Sequence, residues 1–171
     1  TQNAIHNAFQ EMAANTDIEH ITVKELAELA YINKATFYTH YKDIYDLSDQ
    51  LETEYIISTI HGIPHPESII TDPSVSVVEL ADALLAQKEL THTLFSGSRQ
   101  NALPEKLYTE LVKHINSLYP DGKDNLQRNI ALSIIIQGQF HAYQLFGNEN
   151  NHDEVAHILG EIGSCIKKNF L

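Results

Sequence analysis

The spacing of hydrophobic residues along the chain predicts helices almost throughout. Near the N-terminus apolar residues recur every three to four positions, as on one face of an α-helix: Ala4, Ile5, Ala8, Phe9 and Met12. Alternation of apolar and polar residues, the pattern of a half-buried strand, hardly appears. The chain is therefore expected to be all-α, with each helix burying one apolar stripe.

Capping residues mark the helices that follow the first one. Thr22 is expected to begin a helix, with Glu25 three positions later as in a capping box. In that helix Leu26, Ala27 and Leu29 are expected to face inward. The helix should be short, because polar residues and a second capping signal follow it closely.

Two more helices are predicted before residue 60. Asn33 is the expected N-cap of a short helix over residues 34–40 or 34–41. Asp43 is the expected N-cap of a longer helix over about 43–60, and Asp46 lies in its first turn, where the helix dipole favours an acid.

The sequence predicts a helical bundle in the second part of the chain, after a break in the helical pattern. Four Gly and Pro residues within a dozen positions predict a loop or hinge over 62–75. Further helices are expected over about 76–87, 88–96, 104–119, 124–146 and 153–169. The predicted architecture is a three-helix unit over residues 1–46 joined to a larger helical bundle over residues 47–171.

The helices capped by Thr22 and Asn33 have the lengths and separation of a helix-turn-helix. Phe37 and Tyr41 are four residues apart, so they share a face that should pack against Leu26 and the first helix. In such motifs the second helix enters the major groove of DNA. The remaining surface of that helix carries small, hydroxyl and basic groups that can meet base edges or phosphates.

The charge distribution favours the same interpretation. The net charge is −12, yet residues 29–42 contain no Asp or Glu. Acids on a groove-facing surface would repel phosphate, so their absence there has a physical reason. The overall acidity argues against sequence-independent wrapping of nucleic acid and leaves a local contact surface open.

At these residues the sequence resembles the TetR family of bacterial transcriptional regulators. The resemblance covers about residues 1–55 and is carried by the stretches ITVKELA (21–27) and TFYTHY (36–41), followed by Lys42 and Leu47. It implies a homodimer formed by the last two helices, and two recognition helices on a palindromic operator in double-stranded DNA. It also implies a small-molecule effector that binds the C-terminal bundle and releases the DNA.

The resemblance also suggests which residues face DNA. Carried over by position, they are Lys24, Lys34, Ala35, Thr36, Tyr38, Thr39, His40 and Lys42. Tyr38 and Lys42 are assigned to phosphate, and Lys34, Ala35 and Thr39 to base edges. Two alternatives stay open: Tyr38 as a core residue, and His40 as a neutral packing residue.

Two residues depart from the family pattern. Tyr31 stands in the turn where such motifs usually have glycine, and Ile44 stands where the family often has a lysine at the start of the fourth helix. A left-handed backbone at Tyr31 would cost about 1–2 kcal/mol. With eight acids against three lysines in residues 1–50, these departures predict weak non-specific affinity for DNA.

The C-terminal helices suggest a dimer seam. The helix over 124–146 has Gly138 among apolar residues, and an interior glycine is unfavourable unless something packs closely against it. The partner residues expected on the last helix are Val155, Ile158, Leu159, Ile162 and Ile166. The alternative is that the glycine-containing helix lies in the core of a single subunit.

An effector pocket is expected between the middle helices. Its candidate lining residues are aromatic or polar-aromatic: His92, Phe95, Tyr108, Phe140, His141 and Tyr143. No cofactor motif, metal-ligand set, catalytic grouping or apolar run of membrane-spanning length is apparent in the sequence, and the chain is not expected to be an enzyme. The single Cys165 suits a reducing compartment, so a cytoplasmic location is expected.

The expected function is a dimeric, ligand-responsive transcriptional regulator, with repression as the expected mode. The alternative is a protein-interaction co-regulator whose acidic helix-turn-helix no longer binds DNA.

Overall fold

Helices make up nearly all the regular structure of the chain, and the all-α prediction is confirmed. The computed structural model describes residues 1–148 and 150–171, and that part of the chain contains no strand. The α-helices are α1 (Gln2–Ala13), α2 (Val23–Leu29), α3 (Lys34–Tyr38), α4 (Ile44–Gly62), α5 (Ser68–Thr71), α6 (Pro73–Ala86), α7 (Lys88–Leu94), α8 (Ala102–Leu118), α9 (Leu126–Ser133), α10 (Gln139–Phe146) and α11 (His152–Phe170). A π-helical turn, Ile134–Gly138, joins α9 to α10. None of the helices in the described residues is both long and apolar enough to cross a bilayer.

The chain divides into two compact units that do not follow chain order. The first unit combines residues 1–55 with residues 88–103, and the second combines residues 56–87 with residues 104–171. Helix α4 passes residue 46 without interruption. The domain boundary expected after residue 46 remains a prediction, since a compact unit is not by itself a domain that folds alone.

The core of the first unit comes from the apolar stripes of its first helices. Phe9 of α1, Leu26 of α2 and Phe37 of α3 are each 1% exposed or less. Helix α1 packs on α2, and α2 packs on α3. Leu29, at the end of α2, is 37% exposed, so the expectation that it faces inward was wrong. The buried positions of this stretch are Leu26, Ala27 and Ala30, and Leu29 projects to one side of that stripe.

In the second unit, α11 packs along α6 at two glycines. A Cβ at Gly160 would lie 2.7 Å from the Cα of Ser74, and one at Gly163 would lie 2.8 Å from the Cβ of Pro73. Real side chains do not tolerate such separations, because interiors are close-packed. The two glycines therefore allow the helices to approach more closely than larger residues would.

The stretch over 62–75 is more regular than predicted. It contains the short helix α5, and Pro73 is the first residue of α6. The Asp72 carboxylate accepts a hydrogen bond from the backbone N–H of Ser74 at 3.2 Å and so caps α6. Proline is compatible with this position because the first helical N–H has no partner inside the helix. The prediction of a loop up to residue 75 was wrong for this reason.

The helix expected over 124–146 presents two different faces. Ile135 is buried, at 1% exposed, whereas Ile130 and Ile134 are 52% and 54% exposed. A Cβ at Gly138 would meet only the Cγ2 atom of Ile134, at 4.0 Å. Packing within the described residues therefore does not explain the glycine at this position.

Helix α11 also presents two faces. Leu159 is buried in a cluster with Val77 and Ala156, so its expected place in a dimer seam was wrong. Ile158 and Ile162 are 48% and 50% exposed and lie on the other side of the helix.

Candidate nucleic-acid interface

The helix that begins the candidate interface is capped as the sequence predicted. Thr22 is the N-cap of α2, and its hydroxyl oxygen accepts from the backbone N–H of Glu25 at 3.2 Å. The same hydroxyl donates to the Glu25 carboxylate at 2.6 Å. Glu25 is therefore held by the Thr22 side chain, and Lys24 beside it is exposed.

The turn between α2 and α3 has the hydrogen bonds of a Schellman motif. The backbone N–H of Ile32 donates to Ala27 O at 2.9 Å, and that of Tyr31 donates to Glu28 O at 3.2 Å. The motif requires a left-handed residue after the C-cap, a place usually taken by glycine. Here Tyr31 takes it, with φ of 54°, and it is the one residue other than glycine with positive φ in the described chain. The conformation costs about 1–2 kcal/mol relative to glycine.

Helix α3 is held by its N-cap. The Asn33 carboxamide oxygen accepts from the backbone N–H of Thr36 at 2.8 Å and from the Thr36 hydroxyl at 3.0 Å. Thr39 also donates its hydroxyl to the backbone oxygen of Thr36, at 2.6 Å. Both threonine hydroxyl protons are thus engaged within the helix, and their oxygens remain as acceptors for a partner.

Helix α3 is shorter than the predicted 34–40 or 34–41 and ends at Tyr38, but the backbone N–H of Tyr41 still donates to Phe37 O at 3.0 Å. Two aromatic residues, one in α3 and one just after it, therefore fix the inward face of this stretch. Phe37 and Tyr41 are 0% and 3% exposed, with ring centroids 5.6 Å apart. The Tyr41 hydroxyl is hydrogen-bonded to Nε2 of His6 on α1, with 2.7 Å between the two atoms. Burial raises the pKa of Tyr41, and the nearby charge of Glu54 raises it further. This face matches the prediction, so the opposite face of α3 points away from the core.

Most of the side chains expected to contact DNA lie on that opposite face and in the loop after it, and Lys24 lies on α2. Seven of the eight are exposed: Lys24, Lys34, Ala35, Tyr38, Thr39, His40 and Lys42. Thr36 is half-buried. Tyr38 is 57% exposed, so it is a surface residue rather than a core residue. Contact of any of these residues with DNA remains a prediction.

Two acids lie close to Lys42. The backbone N–H of Lys42 donates to the Asp46 carboxylate at 2.9 Å, and that of Asp46 donates to the Asp43 carboxylate at 2.8 Å. The hydrogen bond from the Lys42 backbone lowers the pKa of Asp46, with help from the Gln50 side chain and the Lys42 ammonium. Both carboxylates cap the start of α4, and they reduce the positive potential around Lys42.

A buried ion pair that the sequence analysis missed holds α4 within the first unit. Glu52 is 0% exposed, and its carboxylate accepts from Nε and Nη2 of Arg99 at 2.8 and 2.6 Å. The hydroxyl of Ser48 donates to the same carboxylate at 2.7 Å. Glu52 and Arg99 are 47 residues apart in sequence, and the hydrogen bond that Arg99 donates to Glu52 raises the pKa of Arg99.

Further contacts join residues 88–103, the stretch that contains Arg99, to residues 1–55. Tyr55 is hydrogen-bonded through its hydroxyl to Thr91, and its ring centroid is 5.9 Å from that of Phe95. A hydrogen bond from Ser98 lowers the pKa of Glu19. Polar and aromatic contacts thus join the two stretches of the first unit.

The six residues expected to line an effector pocket are distributed over both units. His92 and Phe95 belong to the first unit, and Tyr108, Phe140, His141 and Tyr143 belong to the second. Phe95 is buried against Tyr55, and the Tyr143 hydroxyl is hydrogen-bonded to Nδ1 of His152 at 2.6 Å. These contacts give Phe95 and Tyr143 packing roles, and the ligand role of the six remains a prediction.

Two concave surfaces of the second unit have other linings. An open cleft of about 280 Å³ is lined by Ile57, Ile60, His61, Glu110, Lys113, His114 and Ser117. An apolar groove of about 480 Å³ is lined by Leu126, Gln127, Ile130, Ala131, Ile134, Ile166 and Phe170. The groove contains the exposed isoleucines of the helix predicted to form a dimer seam.

No protein-family model, curated protein or solved structure matches this chain. A functional conclusion therefore depends on the residues and geometry described above.

Proposed function

We propose that this chain is a homodimeric, ligand-responsive DNA-binding regulator, and that it represses transcription from a palindromic operator. In this proposal α2 and α3 form a helix-turn-helix, and α3 is the recognition helix. The observation that carries the proposal is the division of α3 into two faces. Phe37 and Tyr41 are buried, while an acid-free surface with Lys34, Tyr38 and Thr39 is exposed. This is the arrangement that a groove-reading helix needs.

The exposed apolar face of the second unit supports the dimer. Contiguous exposed apolar surface on a folded chain usually marks an interface. The stripe on α9, the π-helical turn and α10 includes Ile130, Ile134 and Leu145, which are 52%, 54% and 63% exposed. Ile158 and Ile162 of α11 are similarly exposed. A two-fold dimer buries each contact twice, and it presents two recognition helices to two half-sites.

Gly138 provides a sharp test of this dimer. A leucine there has space within the described residues, because the nearest atom to a Cβ would be 4.0 Å away. In a dimer seam the same leucine would hold the two subunits apart. Gly138→Leu should therefore be folded by circular dichroism and monomeric by sedimentation. Leu118→Asp, at a 47% exposed position outside the stripe, is the matched control and should remain dimeric. A monomeric wild-type chain at micromolar concentration would contradict the dimer.

The DNA-binding proposal is tested by selecting genomic fragments bound by the chain and measuring two lysine variants on the selected site. Lys42→Ala should weaken binding to all sequences alike and flatten the salt dependence by about one unit, because it removes a phosphate contact. Lys34→Ala should mainly relax discrimination between sequences. Lys123→Ala, an exposed lysine of the second unit, should change neither. Unchanged binding in both Lys42→Ala and Lys34→Ala would refute the assignment of α3 to the groove.

The effector part of the proposal makes a reciprocal prediction. A ligand that lowers operator affinity tenfold must itself bind the DNA complex tenfold more weakly, a coupling of about 1.4 kcal/mol. Calorimetric titration of that ligand into free and operator-bound protein measures both affinities. Equal affinities would exclude it as an inducer.

One observation favours the alternative function, a protein-interaction co-regulator. Tyr31 and Leu29 expose apolar surface next to α3, at 95% and 37%. Residues 1–50 also carry eight acids and three lysines, a poor charge balance for DNA. Failure to retain any DNA fragment at low salt would favour this alternative.

A further inference from the structure

Tyr31 combines an exposed side chain with an unfavourable backbone conformation. Its side chain is 95% exposed, and its backbone has φ of 54°. Gly97, also in the first unit, has almost the same φ, 55°, and there the residue is glycine. A bulky residue in this conformation is a true outlier, and strained residues of this kind concentrate at functional sites.

Packing within the chain does not compensate for this strain. With 95% of its surface open, the Tyr31 side chain loses almost no contact with water on folding, so burial contributes almost nothing. The backbone N–H donates to Glu28 O, as the N–H of any residue at this place in the turn would do. The tyrosine side chain therefore gains little from the rest of the molecule.

The position of Tyr31 in the chain suggests what it contacts. It lies two residues before Asn33, the N-cap of α3, and three before Lys34. Residues at the N-terminal end of a recognition helix reach base edges, so a side chain in the turn just before it lies next to the sugar-phosphate backbone. At about 3.8 Å per residue, the Cα atoms of Tyr31 and Lys34 are within roughly 11 Å of each other.

The charge of residues 1–55 gives a reason for a tyrosine at this place. The only basic side chains in residues 1–55, apart from histidine, are Lys24, Lys34 and Lys42. A tyrosine hydroxyl can donate to a phosphate oxygen, and its ring can cover apolar parts of the sugar. It can thus position a protein on DNA without adding charge.

We propose that Tyr31 is a DNA-backbone contact: its hydroxyl donates to a phosphate oxygen beside the base pairs that the N-terminal end of α3 reads. The strained turn directs this side chain outward, where it is 95% exposed. The inference rests on the proposed DNA-binding function and assigns a contact to a position where helix-turn-helix turns usually have glycine.

The test uses three substitutions in the full chain. Tyr31→Gly and Tyr31→Asn relieve the strain and remove the contact, because asparagine tolerates the left-handed conformation. Both should raise the melting temperature by a few degrees and lower affinity for the selected DNA fragment about tenfold. Tyr31→Phe keeps the backbone and the ring, so it should leave the melting temperature unchanged and lower affinity about threefold.

Salt dependence and a control identify the kind of contact. A neutral hydroxyl releases no counterion, so Tyr31→Phe should weaken binding equally at every salt concentration, whereas Lys42→Ala should flatten the slope. The loss should be the same for matched and mismatched sites, because phosphates carry no sequence information. Tyr119→Phe, at a 41% exposed tyrosine of the second unit, should change nothing.

The outcomes separate this inference from the proposed function. Wild-type affinity in all three variants would overturn the role of Tyr31 and leave the DNA-binding proposal intact. A wild-type chain that retains no DNA fragment would overturn both. A loss of affinity accompanied by a lower melting temperature in Tyr31→Asn would also overturn the inference, since it would indicate a disturbed turn.

Discussion

The stability of the first unit should depend strongly on the ion pair between Glu52 and Arg99. Arg99→Leu removes the counter-charge of a carboxylate that is 0% exposed and accepts two hydrogen bonds from the guanidinium. Removing one partner of a buried ion pair costs about 3–5 kcal/mol. Total stabilities are only about 5–15 kcal/mol, so the variant should be severely destabilised.

Substitution of Glu52 should cost less stability than substitution of Arg99. The Arg99 side chain is 25% exposed and lies 3.6 Å from Asp49, so after Glu52→Leu the guanidinium still reaches water and a carboxylate. That variant should cost about 1–3 kcal/mol, the range for lost charged hydrogen bonds. The double variant with leucine at both positions should be within about 1 kcal/mol of wild type, because replacing a buried ion pair by apolar residues is often neutral.

Urea denaturation at pH 7 and 25 °C, followed by helical circular dichroism, measures all three free energies of unfolding. One protein concentration must be used throughout, since dimer formation would add to apparent stability. Lys113→Leu breaks an ion pair with Glu110, at 3.3 Å, in which the lysine is 71% exposed, and should cost less than about 1 kcal/mol. A loss below about 1 kcal/mol in Arg99→Leu would refute the reasoning. The reasoning would also be refuted if the double variant lost as much unfolding free energy as the two single variants together.

Three other features give simpler tests. Asn33→Ala removes the N-cap of α3 and should cost about 1 kcal/mol of unfolding free energy in urea denaturation. Gly160→Ala forces a Cβ to within 2.7 Å of a neighbouring backbone atom and should destabilise by about 1–3 kcal/mol, whereas Gly62→Ala has open space and should be neutral or stabilising by about 0.4–1 kcal/mol. The hydrogen bond from His65 to Glu79 raises the pKa of His65, so its contribution to stability is fully present below about pH 6.5 and is lost as pH rises through the raised value. Titration of the His65 ring by NMR should show this, and Glu79→Gln should return the pKa towards its ordinary value.

Local signals made the caps and the inward face of α3 predictable. The caps at Thr22, Asn33 and Asp43 each use a side-chain oxygen that accepts from a backbone N–H three residues later. Phe37 and Tyr41 share a face by helical geometry alone. Interactions that close within one turn depend on little beyond the nearest residues, so a sequence pattern is sufficient to predict them.

Non-local contacts were not predictable in the same way. Nothing near Arg99 in the sequence indicates that its partner is Glu52, because both residue types are usually solvated at surfaces. The π-helical turn at Ile134–Gly138 also has no signal in the hydrophobic pattern. The expected pocket residues proved to be distributed over two units for the same reason. The spacing of aromatic residues along a helix does not specify which other helix it packs against.

The two-part composition of the first unit limits how this protein can be cut and recombined. A fragment that ends at residue 55 would keep Glu52 and lose Arg99, so it would lack the guanidinium that binds this carboxylate in the intact chain. Chimaeras that graft residues 1–55 onto another protein would have the same unsatisfied carboxylate. A portable module would need residues 88–103 as well. Because Tyr55 is hydrogen-bonded to Thr91, a short glycine-rich linker from residue 55 to residue 88 should be sufficient to join the two stretches.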